Sequence, residues 1–207
     1  NRVANGNFAD IGNEEVTNGD FAQIGAEEVS NGDFSEVGSE LLTNGDFSSG
    51  SGWNGSISVA GGQGTKTTSG LAYQTGIITS GKPYKITVDV ASLDGATNIY
   101  TGGNSSAALS VGVQTIYMTG GSSNDFLGLN NGYSTGVCSV FNSISVKEVG
   151  QDWETYTSGT STVTFEEGAV LNIDGSNSNV GVYQENVFTN GTSYKIVVNM
   201  KATASFD

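Results

Sequence analysis

The chain has no histidine, one cysteine and one proline, and only seven of its 207 residues are lysine or arginine. Without histidine it lacks the commonest general base and the usual protein ligand of zinc, so Ser-His-Asp and Cys-His arrangements are excluded. A single cysteine, Cys138, can form neither an intrachain disulfide nor a multi-thiolate metal site. We therefore expect a protein that is not an enzyme.

Two hydrophobic patterns are also missing. No segment carries apolar residues at helical spacing beyond a turn or two, and no apolar run approaches the ~18 residues of a membrane span. Glycine, in contrast, makes up 31 of 207 residues, which is about twice its usual share. Glycine-rich turns separate short alternating stretches such as residues 84–90, where Tyr84, Ile86, Val88 and Val90 face one way. These features predict an all-β fold.

Positive charge is scarce, and the formal net charge is −14. Residues 1–47 hold ten acidic residues against Arg2 alone, a net charge of 1 − 10 = −9. An acidic surface of this kind repels phosphate backbones, so we expect no nucleic-acid partner. Solubility and the binding of divalent cations are the two roles left open for it.

One short phrase occurs four times within residues 1–47, and the spacing between successive copies never changes. The copies are Asn5-Gly6-Asn7-Phe8, Asn18-Gly19-Asp20-Phe21, Asn31-Gly32-Asp33-Phe34 and Asn44-Gly45-Asp46-Phe47. Each Asn-Gly pair predicts a turn, because both residues tolerate positive φ. Apolar positions recur in the same register and are our candidate assembly contacts: Val3, Phe8, Ile11, Val16, Phe21, Ile24, Val29, Phe34, Val37, Leu42 and Phe47.

A repeat as short as this one is too small to bury its apolar side chains alone. Three arrangements of residues 1–40 satisfy this limit. Several chains wrap together as a stem, the repeats donate strands to neighbouring sandwiches, or the segment is a flexible acidic linker.

The end of the chain repeats its middle. Tyr73-Gln74 recurs as Tyr183-Gln184, and Trp53 recurs as Trp153. We therefore predict three domains: the acidic repeats at 1–40, a jelly-roll β-sandwich at 41–149 and a partial second copy of that sandwich at 150–207. Because half a sandwich exposes open strand edges, we expect further chain or a neighbouring subunit to complete it.

A family resemblance rests on four parts of the chain. They are Leu42-Thr43-Asn44-Gly45-Asp46-Phe47, Trp53, Gly81-Lys82-Pro83-Tyr84-Lys85-Ile86-Thr87-Val88 and Phe141-Asn142-Ser143-Ile144-Ser145-Val146-Lys147-Glu148-Val149. Together they resemble the jelly-roll carbohydrate-binding modules of families four and nine, in the divergent form found in tandem in phage tail-fibre and other virion proteins. The resemblance implies a structural calcium between the opening and closing strands, with Asp46 and Asn142 as candidate ligands, although the family has an acid where this chain has Asn142. No other cofactor is expected.

The resemblance also implies that aromatic side chains in a groove bind sugar. Trp53 recurs as Trp153 and Tyr73 as Tyr183, as core positions do in a duplication, so we assign Trp53 and Tyr73 to packing. The remaining candidates for glycan contact are Tyr100, Tyr117 and Tyr133.

Our leading interpretation is a non-enzymatic structural or assembly protein of an extracellular or virion appendage, such as a phage fibre or a filament subunit. Its partners would be other copies of itself, in an oligomer or filament, and surface glycans. The alternative is a carbohydrate-binding module of a secreted or adhesive protein, in which the repeats are only a linker. Both interpretations place the protein outside the cell or on a virion surface, with no membrane span.

Overall fold

The computed structural model of the chain describes residues 24–131, 139–156, 162–166, 170–174 and 180–199. These residues contain strands and turns but no helix, which confirms the all-β fold class. Contacts divide the chain into a larger unit, Ser30–Glu185, and a smaller unit made of Asn1–Val29 with Asn186–Asp207.

The described residues of the larger unit form fifteen strands. In chain order these are β1 (Val37–Glu40), β2 (Asn54–Gly55), β3 (Ile57–Ala60), β4 (Gln63–Lys66), β5 (Gly70–Gln74), β6 (Pro83–Ser92), β7 (Thr97–Thr101), β8 (Asn104–Ala108), β9 (Gly112–Thr119), β10 (Leu127–Asn131), β11 (Val140–Val149), β12 (Glu154–Tyr156), β13 (Thr162–Glu166), β14 (Val170–Asp174) and β15 (Gly181–Tyr183).

The first eleven strands form two antiparallel sheets. One sheet has the order β3-β4-β11-β6-β9, and β1 pairs with the C-terminal end of β11. The other sheet has the order β2-β5-β10-β7-β8. Non-consecutive strands lie side by side in both sheets, so the chain crosses between the sheets repeatedly and builds a β-sandwich.

The core lies between the two sheets. On β6 the side chains of Tyr84, Ile86 and Val88 are at most 1% exposed, and the residues between them are half-buried. The alternation predicted for this strand is therefore confirmed. Ile99 on β7 and Leu129 on β10 are fully buried in the same core. Period-two alternation on facing strands is the pattern expected when each sheet has one face in the core.

The remaining strands form two short antiparallel pairs, β12 with β15 and β13 with β14. A small second core accompanies them, in which Val149, Val163 and Phe165 are buried. Phe34 and Tyr117 are partly buried against this cluster. The second core therefore contains one residue from the N-terminal repeats and one from strand β9 of the first sandwich.

Part of the predicted second copy does not repeat the first copy's structure. The hydroxyl of Tyr194 accepts a hydrogen bond from the Thr189 amide at 2.8 Å, as the hydroxyl of Tyr84 accepts one from the Thr79 amide at 2.7 Å. However, residues 192–199 form no strand, and Val197 is 76% exposed. The matching strand β6 is held between β9 and β11, and no described strand pairs with residues 192–199.

Candidate functional site

The outer face of the five-stranded sheet presents two tyrosines side by side. Leu127 and Leu129 on β10 are fully buried, so Gly128 between them faces outward. The strand register places Gly128 directly opposite Tyr73 on β5 and opposite Tyr100 on β7. The two tyrosines therefore flank a glycine on the outer face of the sheet, where the Leu71 side chain covers Gly128 and leaves it buried.

A third ring joins them. Phe126 lies two residues before Gly128, and its ring centroid is 5.4 Å from each of the Tyr73 and Tyr100 rings. Phe126 is stacked on Tyr100 with an interplanar angle of 26°. All three side chains are half-buried. We call Tyr73, Tyr100 and Phe126 the aromatic face.

Neutral polar side chains occupy the register positions around the aromatic face. They are Asn54, Asn98, Ser105 and Asn130, and the apolar side chain of Leu71, opposite Asn130, lies on the same face over Gly128. Amide and hydroxyl groups beside exposed aromatic rings can bond to hydroxyls while the rings cover apolar C–H surfaces. The arrangement therefore suits an uncharged polyhydroxylated ligand.

Of the three tyrosines predicted to contact glycan, two lie within the described residues, and these two lie on different sheets. Tyr100 belongs to the aromatic face, whereas Tyr117 lies on β9 of the other sheet, half-buried against the second core. Tyr133 lies outside the described residues. Tyr73, which the sequence assigned to packing, lies beside Tyr100 instead. Its outward orientation follows from the burial of its neighbours Ala72 and Gln74, which only the pairing of β5 establishes.

The fourth repeat forms the opening turn of the first sandwich. Asn44 and Phe47 both have φ of 55°, and the Phe47 amide donates to the Asn44 carbonyl at 3.2 Å. The Phe47 ring is 1% exposed and lies 5.3 Å from the Trp53 ring. The backbone of Gly45 passes so close to Ile144 that a Cβ at position 45 would overlap the Ile144 carbonyl oxygen.

Two side chains hold this turn in place. The indole N–H of Trp53 donates to the Asn44 carbonyl at 3.1 Å. The amide of Gln74 makes two hydrogen bonds to the backbone of Thr43, accepting from its N–H at 3.1 Å and donating to its carbonyl at 2.7 Å. We call Trp53 and Gln74 the Trp53 docking site.

The third repeat adopts the same turn. Asn31 has φ of 46° and Phe34 has φ of 57°, and the Phe34 amide donates to the Asn31 carbonyl at 3.0 Å. The Phe34 ring lies 4.9 Å from the Trp153 ring, and the Trp153 indole N–H donates to the Asn31 carbonyl at 2.9 Å. The third repeat therefore contacts Trp153 as the fourth repeat contacts Trp53.

A glutamine again binds the residue before the turn. The side-chain amide of Gln184 accepts from the Ser30 N–H at 3.1 Å and donates to the Ser30 carbonyl. The Gln151 carbonyl in addition accepts from the side-chain amide of Asn31 at 3.1 Å. We call Trp153, Gln184 and Gln151 the Trp153 docking site.

The third repeat therefore takes the position of an opening turn for the predicted second copy, although the whole first sandwich lies between the repeat and Trp153 in sequence. Val37, just after the repeat, pairs with Val149 at the end of β11. The chain thus enters and leaves the first sandwich at adjacent points, which allows the third repeat to contact residues 151–184. The sequence carried a signal for this arrangement, because it contains Asn-Gly-Asp-Phe phrases beyond the one that contacts Trp53 and a second tryptophan, Trp153.

The predicted apolar assembly positions have different surroundings. Leu42 and Phe47 are buried, Val29 and Phe34 are half-buried, and Ile24 and Val37 are 65% and 46% exposed. Five positions lie outside the described residues: Val3, Phe8, Ile11, Val16 and Phe21.

The candidate calcium ligands have protein partners of their own. The Asp46 carboxylate accepts from the Ser48 backbone at 3.1 Å, and this hydrogen bond lowers the pKa of Asp46. The side-chain amide of Asn142 accepts from Gln63 at 2.9 Å and donates to Asp89 at 3.2 Å. The described residues contain no group of three or more His, Cys, Asp or Glu placed to hold a metal. A calcium site stays a prediction from the family resemblance.

Comparison with known proteins finds a distant similarity to a solved structure. No family model matches the chain, and no curated protein matches it. A solved chain described as "CBM4 structure and function" is 18% identical and aligns with a TM-score of 0.30 over 58% of this chain and 99% of its own length. Within the described residues, no helix is long and apolar enough to cross a membrane.

Proposed function

We propose that this chain is a non-enzymatic carbohydrate-binding module of a secreted or surface protein, and that the aromatic face binds the glycan. The observation that carries the proposal is the alignment of Tyr73 and Tyr100 on either side of Gly128, with Phe126 packed against both rings. Flat aromatic surface covers the C–H face of a sugar ring, and half-buried rings lose little freedom when they do so.

The ligand class follows from the groups around the rings. The positions beside them carry asparagine and serine, with no charged side chain among Asn54, Asn98, Ser105 and Asn130. The chain as a whole has a formal charge of −14, which repels acidic polysaccharides. We therefore expect a neutral polysaccharide as the ligand.

The test is affinity electrophoresis and titration calorimetry of the full chain with soluble neutral glucans, xylans and mannans. Replacing Tyr100 by alanine should weaken binding about tenfold or more, whereas Tyr100→Phe should keep most of it, because the ring and not the hydroxyl covers the sugar. Tyr156→Ala is the matched control, since Tyr156 is 54% exposed on β12, away from the aromatic face. Absence of binding to every polysaccharide, or equal losses in Tyr100→Ala and Tyr156→Ala, would refute the proposal.

A second candidate function is structural: a subunit of an extracellular or virion appendage that assembles through its repeats. Its support is the docking of the third and fourth repeats, which make equivalent contacts to Trp153 and Trp53. A chain that joins sandwich units through a regular set of turns is suited to building an elongated array. Light scattering of the intact chain, with and without a calcium chelator, tests this function. A defined oligomer or polymer is the expected result, and a monomer at micromolar concentrations contradicts it.

A further inference from the structure

The two docking sites recognise the same few atoms of a repeat. In both, the tryptophan indole N–H donates to the carbonyl of the repeat's asparagine, and the glutamine amide pairs with the backbone of the residue before it. The repeat's phenylalanine ring packs on the tryptophan, at 5.3 Å in one site and 4.9 Å in the other. Recognition therefore requires an Asn-Gly-Asp-Phe turn and little else of the sequence.

The first two repeats retain these residues. Asn18-Gly19-Asp20-Phe21 is identical to the docked phrase, and Asn5-Gly6-Asn7-Phe8 differs only by Asn in place of Asp. The aspartate is the dispensable member, because Asp33 and Asp46 bond only to the serine two residues later in the same turn. The chain thus carries four segments of matching chemistry, and the described residues supply two docking sites for them.

The Trp153 docking site holds its repeat less completely than the Trp53 docking site. Phe34 is half-buried, whereas Phe47 is 1% exposed. The backbone carbonyl of Gln151 bonds to Asn31, and the buried Oε1 of the same residue has no hydrogen-bond partner among the described residues. A site that buries less apolar surface of its occupant exchanges that occupant more readily.

We propose that the Trp153 docking site is a binding site for Asn-Gly-Asp-Phe segments in general, and that residues 18–21 of a second copy of this chain occupy it. The proposal deepens the assembly function proposed above, since it names the contact that joins one copy to the next. A turn from one copy that fills a site on another is a heterologous contact, which produces open chains of subunits.

The first experiment tests the site alone. In the full chain, Phe8, Phe21 and Phe34 are all replaced by alanine, which disables every repeat except the one buried at Trp53. A labelled peptide of residues 14–27 is then titrated against this variant and followed by fluorescence anisotropy. We expect it to bind more than about tenfold tighter than the same peptide carrying Phe21→Ala, a difference of ~1.4 kcal/mol. Equal affinity for the two peptides would overturn the proposal.

Folding of the variant is followed by the NMR signals of the two indole N–H groups. The Trp53 signal should stay unchanged, and the Trp153 signal should move to its wild-type position on addition of the peptide. If the second copy unfolds in the variant, the peptide should restore the Trp153 signal by refolding it. A Trp53 signal at its native position with no response at Trp153 would overturn the proposal as well.

The second experiment tests the partner. A chain with Phe34→Ala alone keeps the first two repeats and should form dimers or larger species as its concentration rises, measured by light scattering. The triple variant, which lacks those repeats, should remain monomeric. If both variants stay monomeric while the peptide binds, the Trp153 docking site does bind Asn-Gly-Asp-Phe segments, but the proposal that a second copy occupies it is overturned. The molar mass of the wild-type chain in solution, measured separately by light scattering, tests the assembly function.

Discussion

Phe47 lies at the centre of the contact between the fourth repeat and the first sandwich, and its replacement by alanine tests how much that contact contributes. The ring is 1% exposed and packs against Trp53 at 5.3 Å and against the backbone of Gly64. Phe34 is the natural comparison, because it makes the same contact with Trp153 while only half-buried.

The two variants should lower the free energy of unfolding by different amounts. Truncating a fully buried phenylalanine to alanine costs about 3–5 kcal/mol, because apolar contact is lost and a cavity remains. Phe34→Ala removes a ring that is partly in water already, so we expect a loss of about 1–2 kcal/mol. For an m-value of about 2 kcal/mol/M in urea, Phe47→Ala should lower the unfolding midpoint by about 2 M and Phe34→Ala by less than half of that.

The location of the effect is as informative as its size. Hydrogen exchange of the two indole N–H groups reports on each docking site, since Trp53 bonds to Asn44 and Trp153 to Asn31. Phe34→Ala should accelerate exchange at Trp153 and leave Trp53 nearly unchanged. If Phe34→Ala instead exposes Trp53, or leaves Trp153 fully protected, the third repeat is not the opening turn of the second copy.

Three further predictions concern the first sandwich. Gln74→Ala should cost about 1–3 kcal/mol in urea unfolding, because the N–H and carbonyl of Thr43 lose their partners; no change in midpoint would show that water replaces the amide fully. Gly64→Ala should lower the free energy of unfolding by about 1–3 kcal/mol, because a Cβ at this position lies 2.5 Å from the Phe47 ring. In the double variant with Phe47→Ala, part of this loss should be recovered. If the two losses of stability simply add, the contact between Gly64 and Phe47 is contradicted. Burial lowers the pKa of Lys66 below 10.5. The folded chain therefore loses this proton at a lower pH than the unfolded chain does. The free energy of unfolding should rise with pH from the folded pKa up to 10.5. Lys66→Met should abolish that rise when urea midpoints are compared across this range, and an unchanged pH dependence would show that Lys66 is not its source.

The sequence predicted the fold class because its signals are local. Alternation along residues 84–90 specifies a half-buried strand, and Gly-rich turns specify where strands end. The duplication was also visible, since Tyr73-Gln74 recurs as Tyr183-Gln184. The strand has the predicted burial, and in the structure each of the two glutamines bonds to the residue before a repeat.

The positions of the candidate glycan contacts depend on strand pairing that the sequence does not show. The sequence grouped Tyr100 with Tyr117 and assigned Tyr73 to packing, but the register of β10 with β5 and β7 places Tyr73 beside Tyr100. A tyrosine's face depends on the strand register and on which sheet its strand joins, and both are set by partners distant in sequence.

By itself the sequence determined that this is an all-β chain of repeated units without histidine-based chemistry, because composition and period act within a few residues of each position. Only the tertiary structure decided which repeat contacts which tryptophan. That choice depends on Val37 pairing with Val149, which brings the third repeat to Trp153 across the whole length of the first sandwich. Such contacts form between surfaces far apart in the chain, so the number of repeats and tryptophans does not tell which repeat contacts which tryptophan.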